Sequence, residues 1–184
     1  TIARGDRFRP GEHFDQTAAP TIHIPGLKVF LAYMVQQGLI PYEFDEAHAF
    51  YKNPMDILGV ILALPPGFDP YSDALRPLHL PPLYGEMAKG VPGIPQGSLL
   101  QYNSVVPTLR GMGFEPLAAE PCMFLHTTKN MATSLFVDDG VLGVPTHEDA
   151  VKFFEELGRD RKVTWGPLTN TLGIEFVVKY TPTV

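Results

Sequence analysis

The ten residues from Ser134 to Gly143 read SLFVDDGVLG: an apolar run, two adjacent carboxylates, a glycine, and a second apolar run. No other stretch limits so strongly what this chain can fold into. Two apolar segments joined by turn-forming residues ask for a buried hairpin, because an Asp-Gly pair between apolar runs is a strong short-range hairpin signal. Asp138 and Asp139 then stand side by side at its tip. Taken alone they read either as ordinary turn residues or as oxygen ligands for a cation.

The chain has 184 residues, 45% of them hydrophobic, enough for one respectable core and one domain. No apolar run reaches the length of a membrane span, and the N-terminus is polar and arginine-bearing, without the apolar stretch of a secretory signal. An intracellular, soluble protein of undetermined compartment is expected. The single cysteine, Cys122, excludes an internal disulfide and any cysteine-based metal cluster, and its apolar surroundings predict a buried, inert thiol. Fourteen basic against twenty acidic residues give a net charge of −6, the wrong sign for a protein that mainly grips phosphate backbones. The basic residues cluster weakly, at Arg4, Arg7 and Arg9 and again at Arg159, Arg161 and Lys162, and both groups read as solvated surface charge.

Periodicity and punctuation predict the elements. A helix over Leu27 to Gln37 is stopped by Gly38, and a strand follows over Ile40 to Phe44. The uniformly apolar ILGVILAL, Ile57 to Leu64, reads as a buried strand. The proline- and glycine-dense stretch from Pro65 to Gly97 reads as a long connection with little regular structure. Ser98 is placed to cap a helix toward Met112 with Gly113 as its stop, although Pro107 is expected to kink or break it. Strands are expected at Cys122 to His126, Thr133 to Val137 and Val141 to Val144. Thr146 opens the best helix, THEDAVKFFEELG, with Ala150, Val151, Phe154 and Leu157 on one face and Gly158 past its end. A last strand is expected at Leu172 to Lys179. The pattern predicts an α+β fold with a mainly antiparallel sheet flanked by helices.

A lone pair of adjacent carboxylates binds a divalent cation poorly, and each raises the other's pKa, so a chemical role for Asp138 and Asp139 needs a partner. Asp45 is the candidate, at the end of the Ile40 strand in YEFDEAHAF. A strand ending in Asp beside a hairpin bearing Asp-Asp is the arrangement in which polymerases hold two magnesium ions about 3.5–4 Å apart. Oxygen ligands suit magnesium, and the lack of cysteine or histidine at metal-ligand spacing argues against zinc.

Ordered matches over nearly the whole length then make the chain resemble the reverse transcriptase of copia-type LTR retrotransposons. ARGDRFRPGEHFDQTAAPT is similar to that family's ARGFxQxxGxDYxETFAPV, FDEAHAFYKN to MDVKNAFLNG, LPPGF (Leu64 to Phe68) to QPPGF, FVDDGVLG to YVDDILI, and LGIEF (Leu172 to Phe176) to LGIEV, with LYG (Leu83 to Gly85) as a further landmark. The resemblance implies one reverse-transcriptase-like domain: a right-hand polymerase palm at 39–50 and 98–184 with partial fingers at 1–38 and about 51–97. It leaves a thumb and a ribonuclease H domain outside these residues. It implies RNA-directed DNA synthesis, with an RNA or DNA template-primer and deoxynucleoside triphosphates as partners. Asp45 and Asp138 become the principal ligands of two Mg2+ ions, with Asp139 supporting. Phe50 falls where reverse transcriptases carry the aromatic that excludes a ribose 2′-hydroxyl, and it reads equally as core packing. Gln96 and Gly97, in GIPQG, fall where the family contacts the incoming nucleotide and template. Without the surrounding matches they read as a proline-rich turn.

The chain departs from the family at Phe136, where the tyrosine hydroxyl is lost. Glu46, Ala47 and His48 replace valine, lysine and asparagine, bringing a carboxylate to the metal site and removing a positive charge. These changes leave a second expectation open: a catalytically inactive retroelement-derived palm, retained as a structural or interaction subunit with protein partners.

Overall fold

The computed structural model describes residues 3–63 and 84–179. The chain divides into two compact units, one of residues 1–18 and 50–100, the other of residues 19–49 and 101–184. The elements in chain order are a 3-10 turn (Gly5–Arg7), α1 (Ile24–Gln36), β1 (Ile40–Glu46), α2 (Ala49–Lys52), β2 (Ile61–Ala63), β3 (Tyr84–Glu86), α3 (Gly97–Gly111), β4 (Phe114–Pro116), β5 (Met123–His126), β6 (Ala132–Phe136), β7 (Asp139–Val144), α4 (His147–Leu157), β8 (Val163–Pro167), β9 (Asn170–Thr171) and β10 (Ile174–Glu175). The fold is mixed α and β with a mainly antiparallel sheet.

The second unit is built on six strands in the order β4-β5-β6-β7-β1-β8, antiparallel throughout. Strand alternation sends Tyr42 and Phe44 of β1 and Leu142 and Val144 of β7 into a core with Val105, Val106 and Leu109 of α3 and Ala150, Phe153, Phe154 and Leu157 of α4. Val141 faces the opposite way, into a second core with Leu27, Phe30 and Met34 of α1. Helices therefore cover both faces of the sheet. Thr146 caps α4 by accepting a hydrogen bond from the Asp149 amide at 3.2 Å, as its sequence predicts. The buried stripe of α4 takes Phe153 rather than Val151.

In the other unit β2 pairs, among the described residues, with β3 alone, and Met55, Val60, Met87, Ile94 and Leu100 form a small core. The buried strand expected over Ile57 to Leu64 is not formed over its described part, Ile57 to Ala63. Only Ile61–Ala63 is extended and paired, and while Val60 is 2% exposed, Leu58 is 82% and Ile61 61% exposed. The reason is local: Gly59 sits at φ +81, a left-handed turn that interrupts the run, so that Val60 enters the small core while Leu58 and Ile61 turn to solvent. Leu64 to Phe68, Leu83 and most of the proline-rich connection lie outside the described residues.

Three further expectations are corrected. Ser98 is not the cap, because α3 starts at Gly97 and the Leu100 amide bonds to Gln96 O at 3.0 Å. Of the two outcomes expected at Pro107, a kink or a break, the break does not occur, and α3 runs through it to Gly111: the one backbone hydrogen bond a proline forfeits is outweighed by burial of Val105, Val106 and Leu109 around it. The strand expected over Leu172 to Lys179 shrinks to Ile174–Glu175, paired with Asn170–Thr171 across a tight turn in which Leu172 (φ 53) and Gly173 (φ 71) are both left-handed. Among the described residues no helix is long and apolar enough to cross a membrane.

Candidate functional site

The hairpin predicted from SLFVDDGVLG forms, but its turn is not the Asp-Gly pair. Phe136 pairs with Asp139 and Leu135 with Gly140, so the two-residue loop is Val137-Asp138, and Asp139 is the first residue of β7. Gly140 lies inside the strand for a packing reason: a Cβ there would overlap the Phe44 ring and stand 2.7 Å from Ser134 O. Val137 adopts φ 58, a conformation that its branched Cβ opposes. Such strain, typically about 1–3 kcal/mol, persists only where the surroundings enforce it.

That turn meets the end of β1. Asp45 lies directly opposite Asp139 in the β1–β7 register, and the Glu46 amide donates to Asp138 O at 2.9 Å. Asp45 is exposed, whereas Asp138 and Asp139 are partly buried. Burial first, then the charges of Asp138, Asp45 and Glu43 and a side-chain hydrogen bond with Asp45, hold the Asp139 carboxyl above the ordinary carboxylate range. Asp138 is pushed up too, by burial first and by the charges of Asp45 and Glu46, against a backbone hydrogen bond that pulls it down. Glu43, on the Asp45 face of β1, behaves oppositely. Burial pushes it up, but hydrogen bonds from the Asn170 and Thr169 amides and the Thr169 hydroxyl, at 2.7–3.1 Å, hold it below its usual value.

Beside Asp45 and Asp139 opens a cavity of about 470 Å³ lined by Phe136, Thr164, Trp165 and Thr171 among others. The donor chemistry of the three aspartates suits a hard divalent cation: every ligand atom is oxygen, and a cation would relieve their mutual repulsion. Asp45 and Asp139 are in contact and Asp138 joins them through the turn, although among the described residues no three such side chains converge on one point as they stand.

Phe50, Gln96 and Gly97 belong to the other unit. A Cβ on Gly97 would lie 3.0 Å from the Phe50 ring, so these two are neighbours there. The Gln96 side chain is fully buried, its Nε2 donating to His13 O at 3.0 Å, and its Oε1 has no hydrogen-bond partner among the described residues.

One residue was misread from the sequence, and another was read only in part. Glu46 points to the other face of β1 from Asp45 and is 5% exposed, yet its charge still helps to raise Asp138, as its reading as a carboxylate beside the site implies. Arg161, read as solvated surface charge, is 9% exposed, and its Nη1 donates to both Glu46 carboxylate oxygens at 3.0 and 2.8 Å. A pair 115 residues apart leaves no local signal; only Glu46 standing where the family has valine hinted at it.

No curated protein and no solved structure matches the chain. The family model described as reverse transcriptase (RNA-dependent DNA polymerase) matches residues 1–181, nearly the full length, and the chain belongs to that family.

Proposed function

We propose that this chain is the RNA-directed DNA polymerase domain of a copia-type LTR retrotransposon, and that Asp45, Asp138 and Asp139 hold two magnesium ions at the sheet end. The observation that carries the reading is the register of Asp45 opposite Asp139, with Asp138 in a strained turn between them. The palm role goes to the unit holding the six-stranded sheet, which takes in residues 19–38 expected in the fingers, and the fingers role to the unit of residues 1–18 and 50–100, which takes in Phe50 expected in the palm. Phe50, Gln96 and Gly97 are the nucleotide-contacting residues of that second part.

The chain's own contribution is positional. β1 and β7 present two carboxylates from adjacent strands, and the Glu46 amide fixes the backbone that carries the third. When bound, magnesium supplies activation of a primer hydroxyl and stabilisation of charge on the phosphates. Phe136 and Trp165 wall a cavity within the size range of small-molecule sites, where apolar walls strengthen the electrostatics of the carboxylates. The partners that follow are a template-primer and deoxynucleoside triphosphates.

The test is primer extension on an RNA template with magnesium and deoxynucleotides, comparing the parent with Asp138→Asn. Extension by the parent and its loss in the variant support the reading. A folded parent that extends nothing supports instead a retained palm whose partners are proteins.

A further inference from the structure

We propose that Arg161 is a positioning residue for the carboxylates, acting through Glu46; the proposal rests on the metal reading above. Arg161 lies in the segment between α4 and β8. Besides its two bonds to Glu46, it donates from Nη2 to Ser104 O at 2.6 Å and to Ser104 Oγ at 2.8 Å, and Gln101 Nε2 donates to Glu46 Oε2 at 2.8 Å. Ser104 and Gln101 both stand on α3. The network thus ties the last residue of β1 to a helix and to the chain entering β8.

Both backbone amides at this point are also committed. Glu46 N–H bonds to Asp138 O and Ala47 N–H to Lys162 O, each at 2.9 Å. Glu46 follows Asp45 directly and grips the turn that carries Asp138. Movement of the Glu46 side chain therefore moves both ligand-bearing backbones. Stability alone is a weak reason for such a pair, because a buried ion pair is often no more stabilising than apolar residues of the same volume. Groups behind metal ligands, by contrast, often change metal affinity strongly by orienting them.

The experiment compares the parent, Arg161→Met, and the double variant Glu46→Val with Arg161→Met. Its readouts are Mn2+ affinity by electron paramagnetic resonance, melting temperature, and amide hydrogen exchange at residue 46. The single variant is expected to melt lower, and the double variant to regain most of that loss. Both are expected to bind Mn2+ about 10–100-fold more weakly than the parent and to lose protection at amide 46. A double variant with the parent's Mn2+ affinity and the parent's protection overturns the proposal, as the pair is then a stability element only. If Arg161→Met does not fold, the double variant decides by the same two readouts. A parent that binds no Mn2+ overturns the metal reading instead, and protection at amide 46 then judges the clamp: parental protection in the double variant overturns it, and loss supports it.

Discussion

Replacing Asp139 by Asn, without divalent cations, should make this protein more stable. Like charges directly opposite on antiparallel strands cost about 0.2–1 kcal/mol, and Asp139 faces Asp45 in that register. It also feels Asp138 and Glu43, though partial solvent exposure screens those contributions. An Asn amide can moreover donate to Asp45 without sharing a proton. The net gain is about 1 kcal/mol at neutral pH, or roughly 2–4 °C in melting temperature for a chain of this size. The pH dependence fixes the cause. Because the folded-state value of Asp139 is raised, the folded protein holds its proton longer than the unfolded chain does. The parent therefore loses stability as pH rises from the unfolded value, about 3.9, through the raised folded value, and the loss is complete above it. The advantage of Asp139→Asn should be small in acid, where the Asp139 carboxyl is protonated in the folded and the unfolded chain alike, and grow to a plateau. Thermal melts by circular dichroism in chelator across this range measure it. A variant less stable than the parent at neutral pH, or an advantage that does not change with pH, refutes the reasoning. Added magnesium should then raise the melting temperature of the parent more than that of the variant.

Three other substitutions or probes follow from the same geometry. Gly140→Ala should destabilise by about 1–3 kcal/mol in denaturant titration, because the new Cβ meets the Phe44 ring and Ser134 O. Val137→Asn should raise stability by about 1 kcal/mol, since Asn tolerates the left-handed backbone better than a branched side chain; a loss of that size means the Val137 side chain packs more than its strain costs. Cys122 is fully buried, donates to Glu120 Oε1 at 3.0 Å, and is pushed up to about 12 by burial first and then by Glu120. It should resist iodoacetamide in the folded protein at about pH 8 and react fully once unfolded.

Where the signal was local, the sequence was readable. Gly38 ends α1 one residue beyond its cap, Thr146 and Gly158 bracket α4, and the alternation of apolar residues around Asp138 and Asp139 gives β6 and β7. The misses have different causes. ILGVILAL is apolar enough for a buried strand, but the left-handed backbone at Gly59 breaks the run, and Ile61–Ala63 is its paired part among the described residues. LGIEFVVK has strand propensity and found only a two-residue partner. VTWGP, β8, went unrecognised because its pairing with β1 is set by the sheet and not by its own short, glycine-bearing run.

The sequence by itself determined the family, through ordered motifs, and the chemistry available at the site, since three aspartates bring hard oxygen ligands wherever the chain puts them. Only the tertiary structure decided how they meet. The register of β1 on β7 places Asp45 against Asp139, and the loop closes on Val137-Asp138, two residues earlier than the Asp-Gly pair suggests. It also gave Glu46 its partner, as the side chain leaves the Asp45 face of β1 and finds Arg161. Strand alternation separates adjacent side chains onto opposite faces, and long-range packing supplies a counter-charge that no local window of sequence contains.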